Sequence, residues 1–192
     1  MKILLKTLVI SQIEYCSILW SPIDQATINL IESVQVRFTK KISTFLRFDH
    51  ILNMPVCTTS YYERLKTLKI YSLERRRERM QILYMYKIII GMVPDPGIVK
   101  RFNPCTKLRA EPKVNNRAAA WVQKIRRASF FVTGPKLYNT LPENLRELED
   151  TTKTKHQNIL IFKRRLDKYL ETIIDLPGQA NSLLHHVQEK AC

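Results

Sequence analysis

The chain has 192 residues, 45% hydrophobic and 9% aromatic, which is enough for the core of one domain or two small ones and too apolar for a disordered tail. Its net charge of +15 and pI near 9.9 point to a polyanionic partner, nucleic acid ahead of an anionic membrane surface. Only 4 glycines are present, which fits a mostly helical, all-α fold.

Residues 3–20 read as one helix, with Leu5, Val9, Ile13, Cys16 and Trp20 recurring every three or four positions. Ser21 suits a cap, Pro22 the first helical position and Asp24 the third, so a second helix is expected over 24–46. Its inner stripe is Ile31, Val34, Phe38, Ile42 and Phe45. A loop containing Pro55 is expected over 47–59. Ser60 and Glu63 then form a capping box for a short helix, and Lys69–Tyr71 a turn. Ser72 caps a further helix of about 19 residues that stops at Gly91, with Pro94 beyond it. The second half of that helix, MQILYMYKIII, is apolar nearly all round and reads as buried on most sides. Residues 94–116, with four prolines, read as an irregular connector. Residues 117–131 read as a helix running into a short extended piece, and Pro135 and Pro142 each suit the start of a short helix. The last strong helix covers 156–174, with Ile159, Phe162, Leu166, Tyr169 and Ile173 as its stripe. The organisation is therefore an irregular multi-helix bundle: helical regions at 1–93 and 117–176, a connector at 94–116 and a flexible tail at 177–192.

Basic residues decorate several helices. Arg37, Lys40 and Lys41 lie on or beside the face of the second helix, Arg75, Arg76, Arg77 and Arg79 crowd the start of the central one, and Lys163, Arg164, Arg165 and Lys168 follow the last. Arg126 and Arg127 stand next to Phe130 and Phe131, a mixture of charge and rings found where bases stack. Solvated helix faces and core phenylalanines are the ordinary explanations. The sharper one is a phosphate-binding surface, because arginine forks match phosphate oxygens two at a time.

Catalytic constellations are missing. There is no adjacent Asp-Asp pair of the kind two-metal polymerases use, and no P-loop, GxGxxG, HExxH or GxSxG. Cys16, Cys57, Cys105 and Cys192 lack metal-ligand spacing and read as reduced thiols. No metal or other cofactor is expected in this chain. The longest apolar run, around 82–93, contains Lys87 and is too short to span a bilayer. Lys6, Gln12 and Glu14 interrupt the apolar start, so no signal peptide is recognisable. An intracellular protein of the nucleus or cytoplasm is expected.

Four runs in order carry a resemblance. IEYCSILWSP (13–22) with INLIESVQVRFTKKI (28–42) resembles the segment after the palm of non-LTR retrotransposon reverse transcriptases of the LINE, jockey-like type. SYYERLKTLKIYSLERRRERMQILYMYKIIIGMV (60–93) is similar to that family's YxERLxxLxLxSLExRR…YKIxxG stretch. SFFVTGPKLYNTLP (129–142) and IFKRRLDKYL (161–170) resemble its closing SFFxRxxxxWNxLP…FKxRLxxYL pattern, with Tyr138 where the family has tryptophan. The resemblance implies an all-helical thumb in 1–93 and a C-terminal helical region after it. It also implies that the basic helices face the phosphate backbone of a template–primer duplex, an RNA–DNA hybrid or RNA. The family's palm, its Asp-Asp motif and its magnesium would lie before Met1, and no endonuclease domain or CCHC knuckle is recognisable. Such a fragment is expected to bind nucleic acid without polymerising it. The alternatives are a helical interaction module that docks on the palm or another protein through exposed apolar surface, and a mobile-element relic without function.

Overall fold

In the computed structural model, which describes residues 2–22, 24–46, 60–95, 120–146, 152–175 and 183, the described residues form helices and turns and no strand. The α-helices are α1 Lys2–Leu4, α2 Ser11–Glu14, α3 Ser17–Trp20, α4 Gln25–Leu46, α5 Tyr61–Leu68, α6 Leu73–Ile89, α7 Ala120–Ala128, α8 Phe130–Asn139, α9 Glu143–Arg146 and α10 Lys155–Glu171. A π-helical stretch, Leu5–Ile10, joins α1 to α2. The architecture is all-α. The loop at 47–59 lies outside the described residues, as do most of the connector and, Leu183 aside, the tail.

Helix α6 is the centre. Its start is fixed by the Ser72 hydroxyl, which accepts from the Arg75 amide at 3.1 Å, and its end by Gly91 at φ +66°. No residue of α6 is fully exposed, and it packs against α3, α4, α8 and α10. Its C-terminal half supplies Ile82, Met85, Tyr86 and Ile88 to the larger core, where Phe130, Leu137 and Tyr138 of α8 and Phe162, Leu166 and Leu170 of α10 meet them. Tyr86 stacks on Phe162 with ring centres 3.9 Å apart and planes 5° from parallel. Residues from both sides of the proline-rich connector thus share one core. The N-terminal end of α6 contributes Leu73 to a smaller cluster with Leu5, Ile10, Leu65 and Ile70.

The capping box at α5 is present: the Glu63 amide donates to the Ser60 hydroxyl at 3.2 Å and the Ser60 amide to the Glu63 carboxylate at 2.8 Å. An unforeseen second box, Thr154 with Gln157, opens α10.

Four local expectations are corrected. The helix expected over 3–20 breaks at Tyr15–Cys16, where Cys16 takes φ +50° and the Trp20 indole N–H donates to the Tyr15 carbonyl at 2.6 Å. Helix α4 begins at Gln25, and Asp24 is its cap rather than its third residue, accepting from the Thr27 amide at 3.3 Å. Of the stripe expected on α4, Ile42 is buried and Ile31 and Phe38 pack against the smaller cluster, but Val34 is exposed, and the buried positions are Ile28, Glu32, Gln35, Thr39 and Ile42. The Phe45 side chain lies outside the described residues. The extended piece expected near 129–131 is confined to Ser129, whose backbone is extended between α7 and α8, while Phe130 and Phe131 are helical; Pro135 sits inside α8 instead of opening a helix. Gly134, the residue before it, has no Cβ for the proline ring to meet, and a Cβ there would also come within 2.6 Å of the Phe130 ring.

Candidate nucleic-acid interface

The basic residues divide by helix. On α4, Arg37, Lys40 and Lys41 are exposed and stand three and four residues apart, so they share one face. On α10, Lys163, Arg164, Arg165 and Lys168 are exposed; Arg164 and Lys168 lie opposite the buried Phe162–Leu166 stripe and the other two flank it. Arg126 and Arg127 are exposed in the last turn of α7, where positive charge suits the helix dipole. Of the neighbouring rings, Phe130 is buried edge-on against Tyr84 at 5.3 Å, and Phe131 is half exposed.

The arginines of α6 are placed differently. Arg75 and Arg77 are each 2% exposed, so neither presents its guanidinium to a phosphate in this structure. Arg75 donates to the Ile174 carbonyl at 3.1 Å and lies 3.9 Å from both Glu78 and Asp175. Arg77 makes no ion pair among the described residues and its terminal nitrogens are buried without a hydrogen-bond partner; burial pulls its pKa down, and the charges of Glu32, Glu74 and Glu78 offset that only in part. Arg76 pairs with Glu14, and Arg79 grips both oxygens of Asp167 at 2.5 and 2.9 Å. The expected arginine face is therefore mostly an internal charge network. Its physical reason is the position of α6: a helix covered on most sides has little surface to offer, and its cations must find acids within the fold.

Those acids arrive from distant segments. Glu32 of α4 accepts from the Tyr61 hydroxyl at 2.5 Å and from the Leu73 and Glu74 amides at 3.1 and 3.3 Å. Asp175 accepts from the Ser72 amide and hydroxyl at 2.7 and 2.6 Å. Two carboxylates thus sit at the N-terminus of α6, where they offset the arginines that oppose its dipole. Burial raises the Glu32 pKa in spite of its three donors, and burial followed by Glu32 raises that of Tyr61. Glu78, fully enclosed, accepts from the Leu183 amide at 3.0 Å, and burial pushes its pKa up to about 8.

This use of acids shapes the surface. Glu14, Glu32, Glu78, Asp167 and Asp175 are all engaged with internal partners, and among the described residues exposed Lys and Arg far outnumber exposed Asp and Glu. The exposed cations include Lys6, Lys66, Lys69, Lys153 and Lys155, none of which belongs to a run of adjacent basic residues in the sequence. Lys155 is bonded to the Gly91 carbonyl at 2.9 Å.

Among the described residues no group of three or more His, Cys, Asp or Glu could hold a metal ion, and no helix is long and apolar enough to cross a membrane. No protein-family model, curated protein or solved structure matches the chain.

Proposed function

We propose that the chain is the C-terminal, thumb and post-thumb part of a non-LTR retrotransposon reverse transcriptase and binds template–primer nucleic acid non-specifically. The observation that carries this reading is the outward-facing charge: acids are drawn into the α6 network while the cations of α4, α7 and α10 remain exposed. Phosphate contacts need charge and no sequence code, which fits cations spread over several helices better than a single recognition helix would. The motif resemblance supplies the polymer, an RNA–DNA hybrid. The test is a titration of the purified chain against a labelled hybrid, with duplex DNA and single-stranded RNA in parallel. If roughly 6–10 phosphates are contacted, affinity falls by about 10³–10⁵ between 50 and 200 mM salt. A shallow salt slope defeats the reading.

A second reading rests on exposed apolar side chains near the start of the chain. Ile3, Leu4, Leu8, Tyr15 and Leu19 all face outward. Where such side chains form a contiguous patch they mark a docking surface for another protein. Self-association in light scattering, relieved by Leu8→Gln with Leu19→Gln, supports an interaction module; a clean monomer at high concentration counts against it.

A further inference from the structure

A cleft of about 260 Å³ opens between the π-helical stretch, α2, the turn at 69–71, α6 and α10. Its charged lining is Lys6, Lys69, Arg76 and Arg79 against Glu14 and Asp167. The two acids are matched by Arg76 and Arg79, so the charge of Lys6 and Lys69 remains in excess. Neither lysine enters an ion pair or side-chain hydrogen bond among the described residues, and both are exposed. Arg76, which lines the cleft, pairs with Glu14 through its Nε, and its terminal nitrogens enter no hydrogen bond or ion pair among the described residues.

Lys69 carries a second observation. It ends α5 at φ +49°, with its own amide bonded to the Lys66 carbonyl and the Ile70 amide to the Leu65 carbonyl, each at 3.1 Å. This is the arrangement in which glycine is favoured, because a Cβ is strained at positive φ. A lysine there gives up stability, and the turn holds its backbone beside the cleft that its side chain helps to line.

We infer that this cleft binds a phosphate-type anion, with Lys6 and Lys69 as the charged contacts and Arg76 as a forked donor. The inference deepens the nucleic-acid reading and rests on it only for the identity of the polymer. The anion comes either from a nucleic-acid backbone or from free phosphate or polyphosphate, and the two sources separate experimentally.

The experiment compares the full chain with the Lys6→Gln, Lys69→Gly double variant. Two probes are used: pyrophosphate, read by thermal shift against chloride at matched ionic strength, and the labelled RNA–DNA hybrid. Lys69→Gly alone is expected to melt no lower than the parent, which separates loss of binding from loss of fold. The double variant is expected to lose the pyrophosphate shift. It is also expected to bind the hybrid about tenfold more weakly at 0.1 M salt, with the salt slope lower by about 1 to 2. Loss of the pyrophosphate shift with unchanged hybrid binding assigns the cleft to a free anion. A double variant that matches the parent with both probes overturns the inference while leaving the wider reading intact. Absence of hybrid binding by the parent defeats the wider reading, and the pyrophosphate arm then decides the cleft alone.

Discussion

The arginines of α6 and the cations of α4 and α10 are chemically alike and end in opposite environments. Arg75 and Arg77 are enclosed among Glu32, Glu78 and Asp175, whereas Arg37, Lys41, Arg164 and Lys168 face solvent. The difference comes from the faces of the helices that carry them. Helices α4 and α10 are amphipathic and keep a free side, so their charges stay outside at no cost. Helix α6 is covered on most sides, so its cations are retained only because acids from α2, α4, α10 and residue 175 come to meet them. A dense basic run is thus a poor guide to a binding surface when the same helix continues into an apolar one.

The largest way to break this contrast is to remove an internal acid. Glu32→Ala strips the acceptor from Tyr61 and from two α6 amides and removes the largest of the negative charges acting on buried Arg77, so unfolding in urea is expected to lose about 3–5 kcal/mol. A loss below about 1 kcal/mol, the size expected for an exposed ion pair, would show that the network is solvated after all.

The next effect is on pH. Glu78 holds its proton more tightly when folded than when unfolded, with its pKa moved from 4.5 to about 8. Its stabilising contribution is therefore full below pH 4.5 and is lost as pH rises through about 8. Between pH 6 and pH 9 the chain is expected to lose roughly 2–3 kcal/mol through this group. Glu32 is shifted in the same direction and adds to the trend. Glu78→Gln should flatten the melting-temperature profile over that range; an unchanged profile means that Arg75 keeps the carboxylate ionised.

Gly134→Ala tests the apolar counterpart of the network. The added Cβ meets the Phe130 ring at 2.6 Å, and that ring is itself packed on Tyr84, so a loss of about 1–3 kcal/mol is expected. Chemical denaturation measures it, with Ser129→Ala as a neighbouring control.

The smallest stability effect belongs to the surface. Arg164→Gln with Lys168→Gln should change unfolding free energy by no more than about 0.5 kcal/mol while lowering the salt slope of hybrid binding by about 2. Arg77→Met should do the reverse, lowering stability and leaving the slope alone. If Arg77→Met reduces the slope without affecting stability, the division between inward and outward cations fails.

Much of the local structure was legible in the chain. The Ser60–Glu63 box, the Ser72 cap, the Gly91 stop and the stripe of Phe162 and Leu166 depend on residues within four or five positions of one another, and the structure has each of them. The inner face of α4 was read in part: Ile31, Phe38 and Ile42 do face the core, but Glu32, Gln35 and Thr39 look like surface residues. They are inside because the N-terminus of α6 needs an acceptor and the Tyr71 carbonyl takes a bond from Gln35 at 2.9 Å. The π-helical stretch and the break at Cys16 had no signal in an otherwise regular stripe, and Pro135 was taken as a helix start because the space left by Gly134 is a property of packing.

What the sequence determined by itself is the all-helical class, the Ser60 and Ser72 caps, the central place of α6 and a strong excess of positive charge, because these follow from near neighbours and from composition. Which cations would remain outside was decided only by tertiary structure. Glu14 meets Arg76 across 62 residues and Asp167 meets Arg79 across 88, and Lys6 and Lys69 meet at one cleft from different ends of the N-terminal region. The free energy of a charge depends on its burial and on the partner opposite it, and both are set by which helices pack together.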